Sequence, residues 1–91
     1  MNQEVNRATG HCRRLVEMTA GEQGTVFEIR GGGSIKRRLE AIGLRPGVTI
    51  EKLSGSLFGG PVVIRIGHMR LAIGHGMASK VMVAAEKAVA S

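Results

Sequence analysis

The sequence predicts a mainly β protein, a compact barrel or sandwich of five or six short strands, and three observations carry that expectation. Glycine supplies 14 of the 91 residues, about twice its usual ~7% share, and closely spaced glycines suit tight corners between strands. Most stretches between them alternate apolar and polar residues, the period of a half-buried strand. Helical spacing of apolar residues occupies one longer segment, 35–42, so a single helix is expected there.

The elements follow in order. Residues 1–14 are polar, lack periodicity and carry Arg7, Arg13 and Arg14, which reads as a flexible basic tail. The folded domain is expected over 15–85, with a second short tail at 86–91. Leu15, Val16 and Met18 open it, and TAGEQG (19–24) is a turn. TVFEIR (25–30) alternates as a strand, with Thr25, Phe27 and Ile29 on one face and Phe27 and Ile29 in the core. GGGS (31–34) is a joint whose Ser34 hydroxyl can cap the helix that follows.

In that helix Ile35, Leu39 and Ile42 form one apolar stripe. Gly43 suits the left-handed residue that ends a helix, and Leu44 can then touch Leu39 as in a Schellman motif. Pro46-Gly47 is a type II turn. VTIEKL (48–53) points Val48 and Ile50 inward, and its pattern breaks at Lys52-Leu53, where a strand bulges or bends. SGSLFGG (54–60) reads as a loop. PVVIRIGHMRLAIG (61–74) is a hairpin turning at Gly67-His68, with Ile66 opposite Met69. GHGMASK (74–80) makes one helical turn and VMVAA (81–85) the last strand.

Composition excludes several classes of function. A single cysteine, Cys12, allows no internal disulfide and no zinc knuckle, which fits a reducing, cytoplasmic setting. No apolar run approaches the ~18 residues of a membrane span. The first residues, MNQEVNRATG, hold no apolar leader core, so no secretory leader is expected. The net charge of +6 invites nucleic acid. With no Trp or Tyr and only two Phe, however, there is almost no platform for stacking unpaired bases. The basic residues are also spread along the chain, as on a solvated surface, so nucleic acid is not the expected partner. No paired-carboxylate spacing, Ser/His/Asp set or phosphate-binding P-loop appears, so the chain is not expected to be an enzyme.

Taken in order, GEQGTVFEI, RRLEAIGLRPGVTIE, LFGGPVVIRIGHMRLAIG and ASKVMV resemble the FeoA family, small cytosolic proteins of bacterial ferrous iron transport. The same domain type ends the iron- and manganese-dependent repressors. The matching positions are Gly21-Glu22, Arg38-Leu39, Gly43-Leu44, Pro46-Gly47, Gly60-Pro61, Leu71-Ala72-Ile73, Ala78 and Val81/Val83. The resemblance implies an SH3-like β-barrel with a short α-helix after strand one and a one-turn helix before the last strand. It also implies a non-enzymatic role in Fe²⁺ uptake, docked on the cytosolic side of the FeoB permease, which has a GTP-binding domain. It brings no agreed binding residues. The basic tail with His11-Cys12, and the high positive charge, depart from the family pattern.

Candidate site residues then come from the chain itself. Leu57 and Phe58, large and apolar in a glycine-rich loop, either cover the barrel's open end or anchor a partner. Arg37 and Arg45 are surface residues suited to steering an acidic partner, whereas Arg38 reads as structural, its stem on the barrel and its head on a carbonyl. His68, His75, His11 and Cys12 are the weak metal candidates for Fe²⁺ or Zn²⁺. Exposed turn histidines and a short tail are the plainer reading, and no cofactor is required. A nucleic-acid-binding barrel and a transition-metal-sensing module are the alternative functions, and self-association is compatible with the sequence.

Overall fold

The structure is a computed structural model that describes residues 12–85. In chain order it contains β1 (Cys12–Arg14), a 3-10 turn (Leu15–Glu17), β2 (Gln23–Ile29) and α1 (Gly33–Ala41). These are followed by β3 (Thr49–Ser56), β4 (Gly59–Ile66), β5 (Met69–Ile73), α2 (His75–Ala78) and β6 (Val81–Ala85). The strands form one antiparallel sheet in the order β1-β6-β2-β3-β4-β5. Its inner face, the 3-10 turn and both helices share one core: Leu15, Val26, Leu39, Leu44, Ile64 and Val83 have no exposed surface.

The first strand begins at Cys12, inside the stretch assigned to the basic tail, because Cys12–Arg14 pair with Ala84–Met82. Arg13 then reaches the Glu22 carboxylate, and Arg14 clasps Glu17 at 2.9 Å. His11 and the 86–91 tail lie outside the described residues. The Gly21-Glu22 turn closes on β3: the Gly21 amide donates to the Lys52 carbonyl at 2.7 Å, and the Thr19 amide to the Glu22 carboxylate at 2.7 Å.

Phe27 is not in the core. A β-bulge between Val26 and Glu28 breaks the alternation, so Val26 and Ile29 point inward and Phe27 is 41% exposed. Ser34 does not cap α1. The helix begins one residue before it, at Gly33, so Gly32 takes the capping position and its carbonyl accepts from the Ile35 and Lys36 amides at 3.1 Å. The predicted helix end matches the structure in detail. Gly43 has φ +98°, and the Leu44 and Gly43 amides donate to the Leu39 and Glu40 carbonyls at 2.9 and 3.0 Å, the two bonds of a Schellman motif. Ile42, the last residue of the expected apolar stripe, is 39% exposed.

The predicted break at Lys52-Leu53 is a register shift between Lys52 and Ser54. Lys52 precedes the shift, so it stays on the inward face after Ile50 and is only 1% exposed. Its ammonium donates to the carbonyls of Val16 and Met18 at 3.0 and 2.6 Å, tying β3 to the 3-10 turn. A buried charge is tolerated when it is hydrogen-bonded in this way.

Candidate protein-docking site

The segment expected as a loop over 54–60 is instead the end of a hairpin. β3 runs to Ser56, β4 starts at Gly59, and Ser56 pairs with Gly59, leaving Leu57-Phe58 as a two-residue turn. Glycines make that geometry available. Gly55 sits at φ +134°, and a Cβ there would lie 2.9 Å from the Val62 Cα. Gly59 and Gly60, at φ +142° and +82°, also need backbone that other residues resist.

The turn holds its two apolar side chains out. Phe58 is 94% exposed and Leu57 is 47% exposed, so Phe58 does not cover the barrel. Two hydrogen bonds brace the turn from behind. The Phe58 amide donates to the Ser56 hydroxyl at 2.9 Å, and the His75 Nε2 lies 3.0 Å from the Leu57 carbonyl. A carbonyl can only accept, so His75 donates from Nε2 there, which couples the turn to the start of α2. With the turn backbone already braced, burying the ring has only side-chain rotamers left to order, which suits an interface anchor.

Arg37 lies on α1 and Arg45 in the turn leading to β3, and both side chains are exposed. Among the described residues the ion pairs join Arg13, Arg14, Arg30 and Arg65 to glutamates, and neither Arg37 nor Arg45 has such a partner. Arg38 matches its expectation in part. It lines a depression beside Leu39, Ile73 and Met77, but among the described residues no carbonyl holds its guanidinium, and the side chain is exposed.

Of the metal candidates, His11 lies outside the described residues, and His68 and His75 are held apart. His68 and His75 stand at the two ends of β5, roughly 15–20 Å apart along the extended chain. His75 spends Nε2 on the Leu57 carbonyl, and Cys12 is half-buried in β1. Among the described residues no three His, Cys, Asp or Glu side chains cluster as a metal would require. No helix among them is long and apolar enough to cross a membrane.

Comparison with known proteins supports this architecture. The family model described as the FeoA domain matches residues 13–85. No curated protein matches the chain. Among solved structures, an iron uptake regulatory protein (FeoA) is 41% identical with a TM-score of 0.76, covering 82% of this chain and 99% of its own. The FeoA protein of Chlorobium tepidum is 25% identical with a TM-score of 0.69, covering 78% of this chain and 68% of its own. The zinc complex of Stenotrophomonas maltophilia FeoA, described as an SH3 domain protein, is 23% identical with a TM-score of 0.67, covering 82% and 96%. A manganese-dependent transcriptional repressor is 22% identical with a TM-score of 0.75; the match covers 82% of this chain but only 42% of the repressor. The last two likenesses bear on the fold, which is the SH3-like barrel that the resemblance implied.

Proposed function

Because this chain belongs to the FeoA domain family, which is associated with ferrous iron transport, we propose that it is a non-enzymatic cytosolic accessory of ferrous iron uptake. It docks onto the cytosolic GTP-binding part of an FeoB-type permease. Leu57 and Phe58 form the anchor, and Arg37 and Arg45 steer an acidic partner surface towards it. One observation carries the reading: Phe58 is 94% exposed yet sits on a turn fixed by Ser56 and His75. Nothing in the packing of the described residues accounts for a phenylalanine exposed on a turn whose backbone is held by two hydrogen bonds, whereas an interface hot spot does.

Calorimetric titration with the purified cytosolic domain of the permease tests the docking. Saturable binding that persists at moderate salt is the expected result, and binding that responds to guanine nucleotide would tie the accessory to the GTPase cycle. Complete loss of binding at moderate salt would leave only diffuse charge attraction and contradict an apolar anchor.

A further inference from the structure

A second surface, apart from the Phe58 turn, has the features of a binding edge. β5 ends the sheet order, so among the described strands it pairs on one side only, with β4. Gly67-His68 is a two-residue hairpin turn with φ +61° at Gly67, which makes the flanking Ile66 and Met69 a hydrogen-bonded pair. Antiparallel pairs alternate, so Leu71 and Ile73 also direct their amides and carbonyls at β4, and those of Arg70 and Ala72 point away from it. Both Arg70 and Ala72 are exposed, and no other backbone bond occupies them among the described residues.

Apolar depressions flank both ends of this edge. One, of about 410 Å³, lies between Met69 and Leu71 of β5 and the α1 end at Ile42, with Arg45 at its side. The other, of about 290 Å³, lies between Ile73 and Gly74, Ile42 and Met77, with Arg38 at its side. Met69 is 51% exposed and Ile42 39%. No carboxylate lines either depression. Arg38, Arg45 and Arg70 also have no ion-pair partner among the described residues, whereas Arg13, Arg14, Arg30 and Arg65 do.

We propose that the free edge of β5, with the apolar depressions between it and α1, binds an extended acidic segment of a protein partner as an added strand. The outward backbone groups of Arg70 and Ala72 supply main-chain bonds, and the two depressions take alternate apolar side chains. The alternate carboxylates face the opposite side, that of Arg70, and Arg38 and Arg45 add positive charge beside the depressions, which favours an acidic segment over a neutral or basic one. The surface includes neither Leu57 nor Phe58 and shares only Arg45 with the docking proposed above.

The test uses an amide-resolved NMR titration of the full chain with the capped heptapeptide Glu-Val-Glu-Leu-Glu-Val-Glu, and with its counterpart carrying Lys for Glu. The acidic peptide should give saturable shifts centred on Arg70–Gly74 and the residues around Ile42, and the lysine peptide should bind at least roughly tenfold more weakly. Ala72→Pro removes an outward amide and blocks strand addition without touching the β4 bonds, so it should abolish those shifts. The double variant Arg38→Glu/Arg45→Glu, altered only at exposed side chains, should reverse the preference between the two peptides. The proposal is overturned by absence of saturable shifts at β5, by equal binding of both peptides, or by wild-type binding in a folded Ala72→Pro variant. Should Ala72→Pro not fold, an unchanged preference in the arginine double variant overturns it equally.

Discussion

Lys52 shows how one residue can fasten two elements. Its side chain is buried, and its ammonium satisfies the carbonyls of Val16 and Met18, for which no other partner is found among the described residues. Lys52→Met keeps the stem's volume but removes both donors, and should cost about 1–3 kcal/mol in chemical denaturation. Burial pushes the Lys52 ammonium below its ordinary 10.5, with Glu22 opposing that shift. Between the lowered folded value and 10.5 the unfolded chain therefore binds more protons. Wild-type stability measured relative to Lys52→Met should rise as pH climbs through that alkaline window and level off above it. A falling difference would mean that the ammonium is favoured, not penalised, by its site. The sequence carried one sign of this role: strict alternation from Ile50 continues to Lys52. An inward lysine conflicts with the usual preference for apolar residues, and its two carbonyl partners lie more than 30 residues away in sequence.

At the scale of elements, the legible parts were those governed by local chemistry. The end of α1 followed from Gly43, Leu44 and Leu39, whose hydrogen bonds and packing are decided within six residues. The β4–β5 hairpin followed from Gly67 and the alternation on either side of it. The bulge at Val26–Glu28, which turns Phe27 outward, was not legible because it depends on pairing with β6, more than fifty residues further on. For the same reason Cys12–Arg14 read as tail: three residues show no period, and it is β6 that makes them a strand. The β3–β4 hairpin lies between these cases, since its glycines announced a turn but not its length. Gly55→Ala should destabilise the domain by about 1–3 kcal/mol, because it combines a positive φ with a backbone clash against Val62. Thermal melting would show this, and an unchanged Tm would mean that the hairpin can be rebuilt without that backbone conformation. Phe58→Ala, by contrast, should leave the Tm nearly unchanged, since almost all of the ring is already in water.

At the scale of the whole molecule, the described residues form a small basic barrel that exposes a braced apolar turn and, in β5, a sheet edge flanked by arginines. Its charge of +6 is set against few carboxylates, and among the described residues the ion pairs engage Glu17, Glu22, Glu28 and Glu51. Arg37 and Arg45 are left to act at a distance, so Arg37→Glu/Arg45→Glu should slow association with an acidic partner and flatten its salt dependence while changing dissociation little. Stopped-flow association rates at several salt concentrations would measure this. The family was legible from the order of its motifs, and Leu57 and Phe58 were legible as candidates. Which way the pair faces was not, because a glycine-rich loop can fold over a barrel or stand clear of it, and the bracing contact from His75 joins residues 18 apart.

The measurement that bears most directly on the proposed docking is a paired titration of the permease's cytosolic domain with wild type and with Phe58→Ala, each checked by thermal melting. An anchor predicts that Phe58→Ala weakens binding by about 2 kcal/mol, roughly thirtyfold in Kd, with an unshifted Tm. Equal affinities for the two proteins would contradict the account and remove the β3–β4 turn from the interface.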